Sequence, residues 1–353
     1  MAIIDKPSDY FNSVLYTGDG GTNNITGVGF QPDWTWIKSR SNTKDNALFD
    51  SVRGVTKRLI TNTDTLEATV ATSLTAFGSD GFSLGADTTQ NANGNTFVAW
   101  NWKAGTSVSG NTSGSGTAKA YSGSVNTDSG FSIIKYGGNK TAGHTIPHHL
   151  GVAPKMVICK SITQNRGFPI QHASLTSAAY SVFLSTQGAQ SNGNNSWNST
   201  AASSSVVTLG DDDNNNRVDS NDQYIMYSFA EKNNFSKFGT YTGNGNADGI
   251  FVYLGFKPAF LIVKPIDATD NWVTFDNKRL TFNSSTSPFN FAGPNNSNVE
   301  TTDTGQLDFV SNGFKIRNSG GTVNKTSAYI YMAFAENPFV TSTGNGSIPA
   351  TAR

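Results

Sequence analysis

A short motif occurs three times in this chain and constrains its fold more than any other feature. Each copy has a Gly-x-x-Pro turn, then an apolar run, with a lysine six residues after the proline. The three proline and lysine pairs are Pro32 with Lys38, Pro154 with Lys160, and Pro258 with Lys264. An internal repeat of this length predicts one structural unit for each copy.

A second marker, an aromatic-rich run, ends each copy. The distances between its three occurrences nearly equal those between the occurrences of the first marker. The run occupies residues 97–102, 224–229 and 329–334. If these runs are strands, large side chains lie on both of their faces. We therefore expect each run to be a central strand, either covered on both sides or buried between units.

Length and composition favour a chain built from several β-units. The chain has 353 residues, which suits two or three domains, and its 36 glycines suit short strands joined by tight turns. We predict an all-β fold of three repeated antiparallel β-sandwich or jelly-roll-like units. The predicted bounds are 1–105 for the first unit, 106–129 for a Gly/Ser/Thr-rich linker, 130–232 for the second unit, and 233–353 for the third unit with a polar C-terminal tail.

The charge balance and the apolar runs exclude several classes of function. Twenty-five basic residues balance 25 acidic ones, so the chain lacks the basic excess of a non-specific nucleic-acid binder. No stretch has the apolar length of a membrane helix, and we expect no membrane insertion. The N-terminus lacks the pattern of a secretory signal, so we expect synthesis in a cytoplasm without a cleaved leader. A single cysteine, Cys159, excludes an intrachain disulfide.

An acidic loop at residues 211–222 has the oxygen spacing of an EF-hand-type calcium loop. Its sixth position holds Asn216 where such loops have glycine, and the segment after it is a strand instead of a helix. Two interpretations therefore stay open, a structural calcium ion that clamps a loop or a solvated hairpin loop with an acidic cluster. The candidate ligands are Asp211, Asp213, Asn215, Arg217 (through its carbonyl), Asp219 and Asp222.

Two tryptophans, Trp197 and Trp272, are flanked by small polar residues and are candidates for stacking on a sugar. Burial in the core is the alternative for both, because large aromatic rings stabilise a fold mainly by burial. The repeated lysines are expected to end a strand and shield a sheet edge.

No catalytic residue is assigned. Cys159 lies in an apolar run, the chain has no Gly-x-Ser-x-Gly motif, and the four histidines do not have the spacing of a metal site on one strand face. Paired carboxylates for glycoside hydrolysis stay open in a chain with many aspartates. We expect a protein that is not an enzyme and requires no cofactor.

Several segments resemble a family of triple-repeat virion structural proteins of marine tailed phages, known as a tail-fibre-associated domain of unknown function. The resemblance covers nearly the whole chain. The segments that carry it are residues 9–18, 27–34, 50–54, 80–85, 102–105 and 331–336.

This resemblance implies location in a virion after synthesis in the host cytoplasm, and it supplies no site residues. It leads to the hypothesis of a tail or tail-fibre component that acts in host-surface adsorption. The expected partners are other virion proteins, further copies of this chain, and a host-surface glycan or protein. One alternative is a capsid decoration protein, such as a cement protein or head fibre. Another is an enzyme that depolymerises polysaccharide.

Overall fold

A computed structural model describes residues 4–217, 222–279, 283, 288–291, 293–304, 306–320 and 322–338; side chains are not described for 288–291 and 301–304. Nearly all of the regular secondary structure in the described part is strand, so the all-β prediction is confirmed. No helix in these ranges is long and apolar enough to cross a membrane.

Strand pairing groups the chain into three units, which we call unit 1 (residues 4–105), unit 2 (106–232) and unit 3 (233–338). Every described sheet is made of strands from a single unit. Unit 1 also contains a 3-10 helix, Pro7–Asp9, and a helical turn, α1, Thr88–Asn91.

The strands of unit 1 are β1 Phe11–Thr17, β2 Asn23–Ile25, β3 Trp34–Ser39, β4 Ala47–Asp50, β5 Lys57–Ile60, β6 Ala68–Thr69, β7 Leu74–Gly78, β8 Gly81–Leu84 and β9 Thr96–Trp102. Those of unit 2 are β10 Thr106–Asn111, β11 Ser113–Gly114, β12 Ala120–Asn126, β13 Phe131–Gly137, β14 His144–Pro147, β15 Met156–Ser161, β16 Pro169–His172, β17 Val182–Phe183, β18 Val206–Leu209 and β19 Gln223–Phe229. Those of unit 3 are β20 Ser236–Thr242, β21 Phe251–Tyr253, β22 Phe256–Pro265, β23 Val273–Asp276, β24 Pro288–Phe291, β25 Thr301–Thr304, β26 Leu307–Val310, β27 Gly313–Ile316 and β28 Ala328–Pro338.

Each unit has one large antiparallel sheet and one small one. The order of the large sheet is β1-β9-β3-β4-β5-β6 in unit 1, β10-β12-β13-β19-β15-β16-β17 in unit 2, and β20-β28-β22-β23 in unit 3. The small sheets are β2-β8-β7, β11-β14-β18 and β21-β27-β26, and unit 3 adds the pair β24-β25. The central strands β9, β19 and β28 therefore have equivalent neighbours in the three units.

The segment 106–129, predicted to be a linker, is instead part of unit 2. Its strands β10 and β12 pair along their whole length, and β12 continues the sheet through β13. Most side chains of β10 are exposed, so backbone hydrogen bonds hold the hairpin in place. The small polar composition correctly indicates little core burial, but a sheet edge needs little burial.

The central strands have one face in their own unit and one face in a core that all three units share. In unit 1, Phe97 and Ala99 pack between the two sheets, whereas Val98, Trp100 and Trp102 face the shared core. Strands β19 and β28 divide their side chains in the same way. The prediction of central strands buried on both faces is therefore confirmed.

At the middle of the shared core, one aromatic ring from each central strand contacts the other two. The ring centroids of Trp102 and Phe229 lie 6.4 Å apart, those of Trp102 and Phe334 5.4 Å, and those of Phe229 and Phe334 6.1 Å. We call these three residues the central triad. All three contacts are edge-to-face, which is one of the favoured arrangements of aromatic rings.

Backbone hydrogen bonds between the units close them into a ring. The amide of Glu67 in unit 1 donates to Ile162 of unit 2 (3.2 Å), and the amide of Gln190 in unit 2 donates to Ile266 of unit 3 (2.8 Å). The amide of Glu300 in unit 3 donates to Arg40 of unit 1 (3.0 Å), which completes the cycle. The three contacts join corresponding surfaces head to tail, as in a cyclic trimer, although one chain supplies them all.

Phe229→Ala should lower the free energy of unfolding by about 3–5 kcal/mol, because it removes a ring that contacts two other units and leaves a cavity. Unfolding should stay a single transition, since the three units share that core. The measurement is a urea titration followed by both tryptophan fluorescence and far-UV circular dichroism, with the 40 % exposed Leu15→Ala as control. Separate midpoints for the two signals would contradict a shared core.

Candidate functional site

The carboxylates of the predicted calcium loop point to different partners. Asp213 lies between Lys140 (2.5 Å) and Arg166 (3.2 Å), which hold the pKa of its carboxyl below the usual value. Asp211 accepts a hydrogen bond from the side-chain amide of Asn195 at 2.7 Å. Asp222 accepts one from the Thr163 hydroxyl at 3.3 Å. The described carboxylates are thus paired within the protein.

The middle of this loop forms a turn that unit 1 also makes. The carbonyl of Asp212 accepts hydrogen bonds from the amides of Asn215 and Asn216. In unit 1, the carbonyl of Asp87 accepts from the amides of Gln90 and Asn91 in the same way, at the start of α1. Asn216 is buried, and its side chain donates to the carbonyl oxygens of Thr141 (3.1 Å) and Gly210 (2.6 Å). Asn216 at the sixth position therefore joins the loop to neighbouring segments of unit 2.

The calcium interpretation stays a prediction. Asn215 is buried and donates to the Ser196 carbonyl, and the Arg217 side chain lies 3.6 Å from Asp222. Asp219 lies outside the described residues. Within the ranges that are described, no group of three or more His, Cys, Asp or Glu side chains is arranged to hold a metal ion.

Trp197 and Trp272 are both in the core, which was the alternative to sugar stacking. They are 0 % and 1 % exposed. Their indole N–H groups donate to Ser181 Oγ at 2.8 Å and to the Phe183 carbonyl at 3.0 Å. Neither ring offers a face to a sugar in this conformation.

The surroundings of the buried histidines and of the cysteine fit a role in stabilising the fold. His144 contacts Thr112 and Asn216 through its two ring nitrogens. Burial lowers the pKa of His172 to about 4 and raises the pKa of Cys159 to about 12. A thiol with so high a pKa is a poor nucleophile at neutral pH.

The repeated lysines do not shield sheet edges, so that prediction is wrong. All three are at most 1 % exposed, and each donates to a backbone carbonyl of the preceding unit in the ring. Lys38 donates to Ser297 (3.2 Å), Lys160 to Asp64 (3.0 Å) and Lys264 to Gln187 (3.1 Å). Burial lowers the pKa of each lysine to about 8.

Two of the three unit boundaries also contain a buried ion pair that accepts a hydrogen bond from the next unit. Asp50 pairs with Arg53 and accepts from the Tyr227 hydroxyl at 2.7 Å. Asp276 pairs with Arg279, and its Oδ2 accepts from the indole N–H of Trp100 at 3.0 Å. An Asp-x-x-Arg spacing, visible at 50–53 and again at 276–279, is the sequence signal for both pairs.

At the third boundary, between units 2 and 3, a histidine occupies the corresponding place. His172 ends β16, as Asp50 ends β4 and Asp276 ends β23. Its Nε2 lies 3.2 Å from the carbonyl oxygen of Tyr331 on β28. This boundary therefore uses a neutral imidazole and a backbone carbonyl in place of the ion pair.

Among the side chains that the structure describes, one surface stands out because it exposes two large aromatic rings. Phe251 and Tyr253 on β21 are 47 % and 56 % exposed, the highest values among the large hydrophobic side chains described as exposed. Tyr253 also lines a cleft of about 260 Å³ at the junction of units 2 and 3. The polar residues of that cleft are Glu231, Lys232, Asn233, Asn234, Ser236 and Lys237.

Comparison with known proteins identifies a family but no relative of established function. The model of a domain of unknown function, DUF7483, matches residues 6–338, and the chain belongs to that family. Neither a curated protein nor a solved structure matches it.

Tyr227→Phe should lower the free energy of unfolding by about 1.5–3 kcal/mol, because it removes a buried hydrogen bond to a charged acceptor at the boundary of units 1 and 2. Tyr16→Phe is the matched control, since its hydroxyl donates to the neutral carbonyl of Gln90 inside unit 1. That variant should lose only about 0.5–1.5 kcal/mol. Equal losses in urea denaturation would contradict a stabilising role for the charge at the boundary.

The buried lysines should make the free energy of unfolding rise between pH 8 and pH 9. In this range the folded lysines, with a pKa of about 8, release protons that the unfolded chain still binds, so raising the pH favours the folded state. Cys159, whose pKa burial raises from an ordinary value of 9.0 to about 12, begins to lose its proton in the unfolded chain within this range and offsets part of the rise.

Lys160→Met should reduce the slope of that rise by roughly one third, since it removes one of three such lysines. Urea titrations at intervals across pH 8–9 measure the slope. Leu15→Ala, which changes an exposed side chain and no titratable group, should leave the slope unchanged. An unchanged slope in Lys160→Met would show that Lys160 is not the source of the pH dependence.

Proposed function

We propose that this member of the DUF7483 family is a structural protein of a bacteriophage virion, a component of the tail or tail fibre that acts in adsorption to the host surface. The sequence segments that resemble virion structural proteins of tailed phages support this location. They lie in units 1 and 3 and include β1 of unit 1 and part of β28 of unit 3. Its partners would be other virion proteins and a host-surface glycan or protein.

The observation that carries a structural role, in place of catalysis, is the use made of the buried ionisable groups. Perturbed pKa values often mark catalytic sites, although structural networks produce them too. Here the buried lysines, both buried Asp–Arg pairs and His172 contact a neighbouring unit. These groups hold the ring together, which leaves binding at the surface as the function that the architecture favours.

The shared core gives the protein the rigidity that an exposed virion component needs. A unit cannot turn away from its neighbours without exposing the central triad and uncovering the charges of the buried lysines. Exposing such apolar area to water costs about 25 cal/mol per Å². The ring therefore presents its outer loops in fixed relative positions, as expected of a surface used for recognition.

An averaged density map of the intact particle tests this proposal. We expect the chain around the tail, in a copy number that is a multiple of the tail's rotational symmetry. Purified chain added to host cells before infection should lower the rate of phage adsorption. Copies spread over the icosahedral lattice, with no effect on adsorption, would reject the proposal and favour a capsid decoration protein.

A further inference from the structure

We propose that Phe251 and Tyr253 form a platform that binds a pyranose ring of a host-surface glycan, with the cleft beside Tyr253 recognising its hydroxyl groups. This inference rests on the proposed function and names the ligand class and the site. We call the two rings and the cleft the β21 platform.

The alternation of β21 places both rings on one outer face. Val252, between them, points into the core of unit 3, so its two neighbours point outward. Residues two apart on a strand are about 7 Å apart, so the two rings are neighbours on that outer face. The strand lies at the edge of its sheet and pairs only with β27 among the described strands.

Two glycines next to the platform leave room for the rings. An added Cβ at Gly313 would lie 3.1 Å from Cε2 of Phe251, and one at Gly255 would lie 3.6 Å from the hydroxyl of Tyr253. Each ring therefore lies close to a glycine, where a larger residue would crowd it. With about half of each side chain exposed, both rings are accessible for stacking on the C–H groups of a sugar.

The exposure of these rings is not required by the fold. The chain has six tryptophans, and all six are buried. Strand pairing makes Ile25 of unit 1 and Ile146 of unit 2 the buried counterparts of Val252. The residues on either side of them, at the places of Phe251 and Tyr253, are Asn24 and Thr26 in unit 1 and Thr145 and Pro147 in unit 2. Exposed aromatic rings that only one unit carries indicate a binding role.

The cleft supplies the polar groups that sugar recognition needs. The carboxylate of Glu231 accepts from the amide of Phe238 at 3.2 Å and lies 3.9 Å from the Lys237 ammonium group. Both side chains are about one-third exposed, so each can still reach a ligand. Sugar hydroxyls donate and accept hydrogen bonds, which suits a carboxylate beside an ammonium group. The volume of about 260 Å³ is small and suits one sugar ring.

A second copy of the chain is the competing occupant, since an edge strand can pair with another edge strand. The described β21 is only three residues long, and charged side chains line the cleft beside it. A short strand offers few backbone hydrogen bonds, so these features favour a small polar ligand.

Saturation-transfer difference NMR on the full chain tests the platform with glucose, galactose, N-acetylglucosamine and their β-linked disaccharides as probes. At least one probe should bind, and Tyr253→Ala should weaken its affinity about tenfold, the loss expected from one aromatic contact. Tyr253→Trp, which keeps a ring, should retain binding. Leu66→Ala, at an exposed leucine on unit 1, should have no effect.

Two results would overturn the inference. One is that no probe binds, or that Tyr253→Ala binds as well as the unchanged chain. The other is that light scattering after gel filtration shows a dimer that Tyr253→Ala dissociates, because β21 would then join two copies. If the chain still blocks phage adsorption in either case, only the glycan platform fails and the proposed function stands.

Discussion

Contact among Trp102, Phe229 and Phe334 is the interaction on which the rest of the structure depends. It fixes the three central strands against one another, and each of those strands is an interior strand of its own large sheet. With the sheets fixed, the segments that follow β5, β17 and β24 each lie over the next unit in the ring. The buried lysines find their carbonyl acceptors there. The aromatic contact and the polar contacts thus stabilise the same arrangement.

The three boundaries of the ring are built on one plan with different chemistry. On the central strands, Trp100 and Tyr227 each donate to a buried aspartate, whereas Met332 has the same position on β28 and no donor. An aspartate in place of His172 would therefore have one hydrogen-bond donor fewer than Asp50 and Asp276 have. A neutral histidine there avoids the large cost of burying an unpaired charge. Buried ion pairs are therefore one way to build a boundary in this fold, and a neutral contact is another.

Residue patterns predicted the parts of the fold that depend on local periodicity and missed those that depend on contacts between units. Alternation in the central strands correctly predicted burial on both faces. The regular position of Lys160 after a proline was visible, but its acceptor lies in a different unit, and nothing near it in the chain indicates that. Small polar residues at 106–129 suggested a linker because composition reports side-chain burial, whereas an edge hairpin depends on backbone hydrogen bonds. Trp197, flanked by polar residues, is buried for a related reason: its neighbours in the chain are not its neighbours in space.

Covalent connection of the three units has a consequence for how this ring responds to dilution. A trimer of separate chains dissociates as its concentration falls, because each subunit loses its partners to solvent. Here the chain keeps every unit at a high effective concentration near its neighbours, so the ring stays closed however few molecules are present. Each unit is also encoded separately, and a residue can change in one of them without changing in the other two. The fold thus has the geometry of a symmetric assembly, while each of its three units can carry different residues on its surface.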